Sequence, residues 1–170
     1  QENKWSVQLS PFFNYFPNFI YLNPTSQHDI YYGAGNQVFE YQQSKVMRYG
    51  GELQAKYQFL KNLSVEILAE YLYSEQLSGS KKGYTLPFSP PASVLFGLNY
   101  SPEIKNLKDT YFSLDYRFTA QQNQIVPPEK KTEASQVFNV ALGTKLQTGK
   151  QDFIVSLQVQ YLFNTRYLNH

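Results

Sequence analysis

Seven stretches of the chain alternate apolar and polar residues with a period of two. The clearest is residues 153–163. There Phe153, Val155, Leu157, Val159, Tyr161 and Phe163 fall on one parity, and Ser156, Gln158 and Gln160 on the other. A strand sends successive side chains to opposite faces, so the pattern describes a sheet with one apolar and one polar face. Repeated in segments of about ten residues tipped with aromatics, it is the pattern of strands that cross an outer membrane as a β-barrel.

The composition agrees. Fifteen Tyr, thirteen Phe and one Trp make up 17% of the 170 residues, yet the mean hydropathy is negative. A soluble core would lean on Leu, Ile and Val; abundant Tyr beside Gln and Asn suits aromatic girdles around a polar lumen. The net charge of +2, with Lys and Arg scattered, gives no basic footprint for nucleic acid. The absence of cysteine excludes disulfides and thiolate metal sites. No apolar run reaches the length of a transmembrane helix. The opening Gln1-Glu2-Asn3-Lys4 lacks the features of a signal peptide, so an export signal is expected upstream or already removed.

The alternation predicts all-β, antiparallel up-and-down strands over residues 5–15, 38–59, 63–74, 93–100, 110–120, 136–146 and 153–163. Pro11 is expected to introduce a bulge or bend, and Gly50-Gly51 a bulge or a close backbone approach. Residues 23–36, 75–91 and 121–135 read as long polar loops. Between them fall short turns at Lys61-Asn62, residues 102–109 and residues 148–151. Long loops on the outside and short turns on the periplasmic side are the habit of outer-membrane barrels. Single-chain bacterial barrels have an even strand count. An odd count with the first and last strands both rising therefore implies part of something larger.

Four stretches resemble the C-terminal part of TonB-dependent outer-membrane receptors: residues 12–25 (FFNYFPNFIYLNPT), 38–52 (VFEYQQSKVMRYGGE), 83–100 (GYTLPFSPPASVLFGLNY) and 117–132 (RFTAQQNQIVPPEKKT). They stand in the family's order and, with the strand parity, cover nearly the whole chain. The Gly-Tyr often expected after the fourth is replaced by Glu133-Ala134-Ser135. The resemblance implies that residues 1–170 are a C-terminal portion of a barrel of about 22 strands, without its plug and last strand. The seven strands would be the fifteenth to the twenty-first. It further implies active uptake of a scarce nutrient, led by a metal ion or metal complex such as a siderophore or haem, energised by TonB. Expected partners are outer-membrane lipid and lipopolysaccharide, the receptor's own plug and remaining strands, and the TonB complex through the N-terminal region. Localisation would be the cell outer membrane, and no resident cofactor is implied.

His28 and Asp29, in the first long loop, form the one adjacent histidine–carboxylate pair away from the terminus. Imidazole and carboxylate suit zinc, copper or iron, although a solvated loop histidine is the ordinary alternative. Glu52, Glu66, Glu70, Asp115, Arg117 and Lys145 fall on the polar parity and are expected to face the lumen, toward the plug or neighbouring side chains. Glu66 and Glu70, four apart on a strand, lie about 13 Å from each other and cannot share a proton. Lys81-Lys82 and Lys130-Lys131 are loop pairs suited to solvent or anionic lipopolysaccharide. Catalysis is not expected: there is no nucleophile elbow, phosphate-cradling glycine loop or metal-binding helix motif. Two other readings remain open, a structural or adhesive outer-membrane barrel and a soluble β-sandwich or lipocalin-like binder.

Overall fold

The computed structural model describes residues 4–29, 31, 36–149 and 151–163. They form one seven-stranded sheet: β1 (Trp5–His28), β2 (Gln37–Leu60), β3 (Leu63–Gln76), β4 (Ser93–Tyr100), β5 (Leu107–Thr119), β6 (Ser135–Thr148) and β7 (Gln151–Val159). Every strand pairs antiparallel with its sequence neighbours in the order β1 to β7. Short turns after β2, β4 and β6 share one end of the sheet, and the long loops share the other. Among the described residues no second layer packs on the apolar face. Tyr71 and Phe96, flanked by neighbours on both sides, are still 50% and 45% exposed. A soluble sandwich would have covered them, so that alternative is excluded.

Register explains which residues share a face. Val7, Ala55, Ile67, Phe96, Tyr116 and Phe138 stand in one row across six strands on the apolar side. Moving such a row into hydrocarbon contributes on the order of 2 kcal/mol per large side chain. Near the short turns, Trp5 pairs with Tyr57 and Tyr100 with Phe112. Toward the loops, Phe13, Tyr49 and Tyr73 align, with the two tyrosine rings 4.9 Å apart. Tyr49 and Tyr57 are about 27 Å apart along the strand at the usual rise. A tilt of about 40° brings that to about 20 Å, close to the ~25 Å apolar band of a barrel. The rest of the β1–β2 hairpin stands clear of that band.

The buried residues invert the pattern of a soluble core. Among the described residues the buried large apolar side chains are Val46, Leu86, Val126 and Val137, whereas Asn23, Ser74, Gln76, Thr85, Ser89 and Gln122 are buried polar ones. All but Val137 lie in or under the loops, on the polar face.

Several sequence expectations need correction. β1 does not stop at Tyr15 but runs to His28, so residues 23–28 are strand rather than loop. Phe16 pairs with Val46 and Phe19 with Ser44, which leaves one extra residue on β1. That bulge flips the parity: Phe19, Tyr21 and Asn23 turn to the polar face while Ile20 and Leu22 turn outside. The bulge lies there and not at Pro11, which pairs in continuous register opposite Gly51. β5 begins at Leu107, inside the expected turn, and a register shift surrounds Asp109, whose φ is 51°. β7 ends at Val159; Tyr161 has a φ of 55° and donates its N–H to Asn139 Oδ1 at 3.1 Å instead of continuing the ladder. The part of that expected strand at 161–163 is a turn.

Gly50 is a close approach without a bulge. A Cβ there would lie 2.1 Å from the Tyr71 carbonyl oxygen and 2.8 Å from the Phe12 ring, whereas at Gly51 nothing comes nearer than 3.5 Å. Gly50→Ala should therefore destabilise the full-length barrel by about 2 kcal/mol, while Gly51→Ala should stay within about 0.5 kcal/mol. Urea unfolding followed by tryptophan fluorescence checks the contrast; equal midpoints would remove the close approach as the reason for Gly50.

Candidate functional site on the loop-covered face

The polar face is assembled by parity. Ser10, Glu52, Glu70, Ser93, Thr119 and Ser135 form one row across β1 to β6. All but Thr119 and Ser135 border a groove of about 310 Å³ that also takes in Gln8, Gln54 and Arg117. Glu52 and Glu70 face each other directly across the β2–β3 ladder, an arrangement that costs stability for like charges. Ser93 Oγ donates to Glu70 at 2.6 Å, and Gln54 Nε2 donates to Glu66 at 3.0 Å. Neither Glu52 nor Glu70 takes part in an ion pair among the described residues.

The six charged residues expected on one face do share it. Asp115 stands opposite Gly97 and Asn139. A Cβ at Gly97 would meet the Asp115 carboxylate at 3.3 Å, so that glycine leaves the carboxylate room. Arg117 lines both the groove and a neighbouring hollow that reaches Glu133 and Gln160. Lys145, nearer the short turns, forms an ion pair with Asp152 at 2.8 Å, and a pair this open to solvent contributes little to stability.

His28 and Asp29 lie elsewhere. His28 is the last residue of β1, opposite Gln37 at the tip of the long hairpin and exposed. Asp29 follows it, and its carboxylate accepts the N–H of Tyr31 at 2.8 Å, as an aspartate at a turn does. Among the described residues no three His, Cys, Asp or Glu side chains come together as metal ligands would.

The feature that sequence reasoning missed is a buried hydrogen-bond network under the loops. Ser74 Oγ bonds the hydroxyls of Thr85 at 2.7 Å and Ser89 at 2.9 Å and accepts from Leu86 N at 3.2 Å. Gln76 Nε2 donates to Thr85 O at 2.8 Å, and Tyr21 Oη donates to Gln76 Oε1. Burial raises the pKa of the Tyr21 hydroxyl, and the bond to Gln76 only partly opposes this. Besides the backbone bond from Ala120 N to Ala92 O at 2.8 Å, three bonds involving side chains tie the loop at 120–134 to the loop at 77–92. Gln122 Nε2 donates to Ser89 O at 2.5 Å, Phe88 N to Glu129 at 2.6 Å, and Lys81 Nζ to Pro127 O at 3.0 Å. The two loops thus form a single cover. The partners in this network are 9 to 55 residues apart, and only the continued parity of Ser74 and Gln76 on β3 offered a signal.

With this geometry established, the comparisons assign the fold. The profile of the TonB-dependent receptor-like β-barrel family matches residues 1–162. The chain belongs to that family. The solved structure of the copper transporter OprC matches it with a TM-score of 0.78 over 100% of the chain, at 22% identity. The chain spans 24% of the length of that transporter. An identity that low shows a shared fold alone. A comparison with curated proteins finds no significant match.

Removing Ser74 should free the cover. Ser74→Ala leaves buried partners unsatisfied at about 1–3 kcal/mol, so amide hydrogen exchange in residues 77–92 and 120–134 of the full receptor should accelerate together. Acceleration confined to the first loop would show that the two are not one unit.

Proposed function

We propose that this chain is part of an active transporter in the outer membrane of a Gram-negative cell, which takes up a scarce nutrient through a TonB-energised plug. The observation that carries the reading is the division of labour between the two faces of one sheet: an apolar face that no second layer covers among the described residues, and a polar face under fixed loops. The family supports it, since its members enclose a plug and engage TonB. In this reading the apolar rows contact lipid and Lys81-Lys82 and Lys130-Lys131 meet lipopolysaccharide. Glu52, Glu66, Glu70, Asp115, Arg117 and Lys145 face the lumen, where the plug sits. The seven strands fall short of the full barrel, whose plug and closing strand are supplied by the rest of the receptor. The proposed role is transport and not catalysis.

A metal ion or metal complex is the proposed cargo class. OprC is a copper transporter, and His28 beside Asp29 offers donors for such a metal at the exposed hairpin tip. A strain lacking the full-length receptor should lose growth on one limiting source among copper, iron, zinc and haem, and disrupting its TonB should give the same loss. Unchanged growth on every source would sink the transport of metals. In the purified receptor, His28→Ala should weaken binding of the metal so identified by about tenfold, one ligand's share. Equal affinity in a metal titration would remove His28 from the site.

A further inference from the structure

Between the upper half of the β1–β2 hairpin and the loop segment 86–90 lies a hollow of about 230 Å³. Its walls are largely apolar, from Phe19, Tyr21, Leu72, Leu86, Pro87 and Phe88, and Arg48 is the one charged side chain among its lining residues. The other polar side chains there are already engaged: Tyr21 donates to Gln76, and Ser89 Oγ donates to Leu86 O at 2.7 Å. Arg48 is not. Its Nε is sealed from solvent with no hydrogen-bond partner, and it belongs to neither ion pair of the described residues.

A sealed guanidinium N–H without an acceptor is costly, and each such group in a native structure calls for an explanation. Two neighbours bear on it. Glu52 and Glu70 border an adjoining hollow on the side toward the short turns, with Arg48 between the two spaces. Neither forms an ion pair with Arg48, and both repel an anion arriving from below. On the loop side no carboxylate lines the hollow. An apolar lining with one unspent polar group is how small-ligand pockets are built. The hydrogen bonds of Tyr21, Gln76, Ser74 and Ser89 hold the walls in place before any ligand arrives.

We infer that this hollow binds a small carboxylate carried on an apolar or aromatic body, entering from the loop side, with the Arg48 guanidinium as its counter-ion. The planar fork of arginine matches two carboxylate oxygens, and the rings of Phe19, Tyr21 and Phe88 cover the body. The volume suits one ring with its acid group, since drug-sized ligands occupy pockets of about 300–1,000 Å³. As a statement about cargo, namely that the ligand carries such a group, the inference rests on the transport reading; the binding itself does not.

Benzoate is the probe, with benzamide as its neutral counterpart, and saturation-transfer NMR on the purified full-length receptor in detergent is the measurement. Benzoate should bind the native receptor and benzamide should not. Arg48→Gln should weaken benzoate by about tenfold or more, and Arg48→Lys, which keeps the charge but loses the fork, should lie between. Lys61→Gln, which removes a cation at the opposite end of the sheet, should change nothing. The heat-dependent gel mobility of folded barrels confirms that each variant is assembled. Three results would each overturn the inference: no benzoate binding to the native receptor, equal binding by Arg48→Gln, or equal binding of benzamide. Such a failure leaves TonB-dependent growth untouched, and a failure of the growth experiment leaves the benzoate result standing.

Discussion

A sheet one layer thick cannot bury its own faces, so its environment must do so. In this chain that constraint precedes every other. Among the described residues, the rows running from Val7 to Phe138 are covered by no second layer of structure. Left in water they would cost several kcal/mol per row and present the kind of apolar patch that associates. In hydrocarbon the same rows are stabilising, and a backbone paired strand to strand is the form in which β structure crosses a bilayer. The aromatic pairs at both ends of the rows then need no separate account, since amphipathic rings settle at the two interfaces.

Committing the apolar residues to the outside leaves the other face with little but polar groups from which to build an interior. Specificity there comes from hydrogen bonds. Ser74 is at the centre of this arrangement, because its one hydroxyl joins β3 to two hydroxyls and a backbone N–H of the loop above it. Gln122 and Glu129 extend the same logic from the second loop to the first. Such a network is stable only when nearly complete, because each unmet buried group costs more than a made bond contributes. Loops anchored this way present a shaped surface, in contrast to loops held by apolar contacts that can slide.

Much of this was legible in the sequence, and the rest was hidden for definite reasons. Parity alone placed Glu52, Glu66, Glu70, Asp115, Arg117 and Lys145 on one face, because a period of two survives wherever the ladder is regular. It failed where the ladder is not. The extra residue between Phe16 and Phe19 reverses the alternation, so Phe19, Tyr21 and Asn23 resemble outward residues or loop when counted from Val7. Tyr161 misled in the other direction: its parity fits the strand before it, yet its backbone has already turned. The cover was illegible for another reason. Bonds such as Lys81 to Pro127 join residues with no local pattern in common, and only the fold brings them within reach.

Among the described residues two buried side-chain polar atoms are left without partners, Asn23 Oδ1 and Arg48 Nε. Both lie on the loop side of the aromatic row at Phe13 and Tyr49, and both belong to the hairpin that projects beyond the lipid band. Elsewhere on the same face the chain satisfies even awkward groups, down to a serine hydroxyl for Glu70. A sequence that is locally consistent almost everywhere and inconsistent in one region places its unmet demands where something else is meant to meet them. For Asn23 the orphan is an acceptor, and for Arg48 it is a cationic donor beside aromatic walls. The second is the more expensive to leave alone, since charge adds to the cost of a missing hydrogen bond. The hollow beside Arg48 is therefore where an incoming anion would gain most.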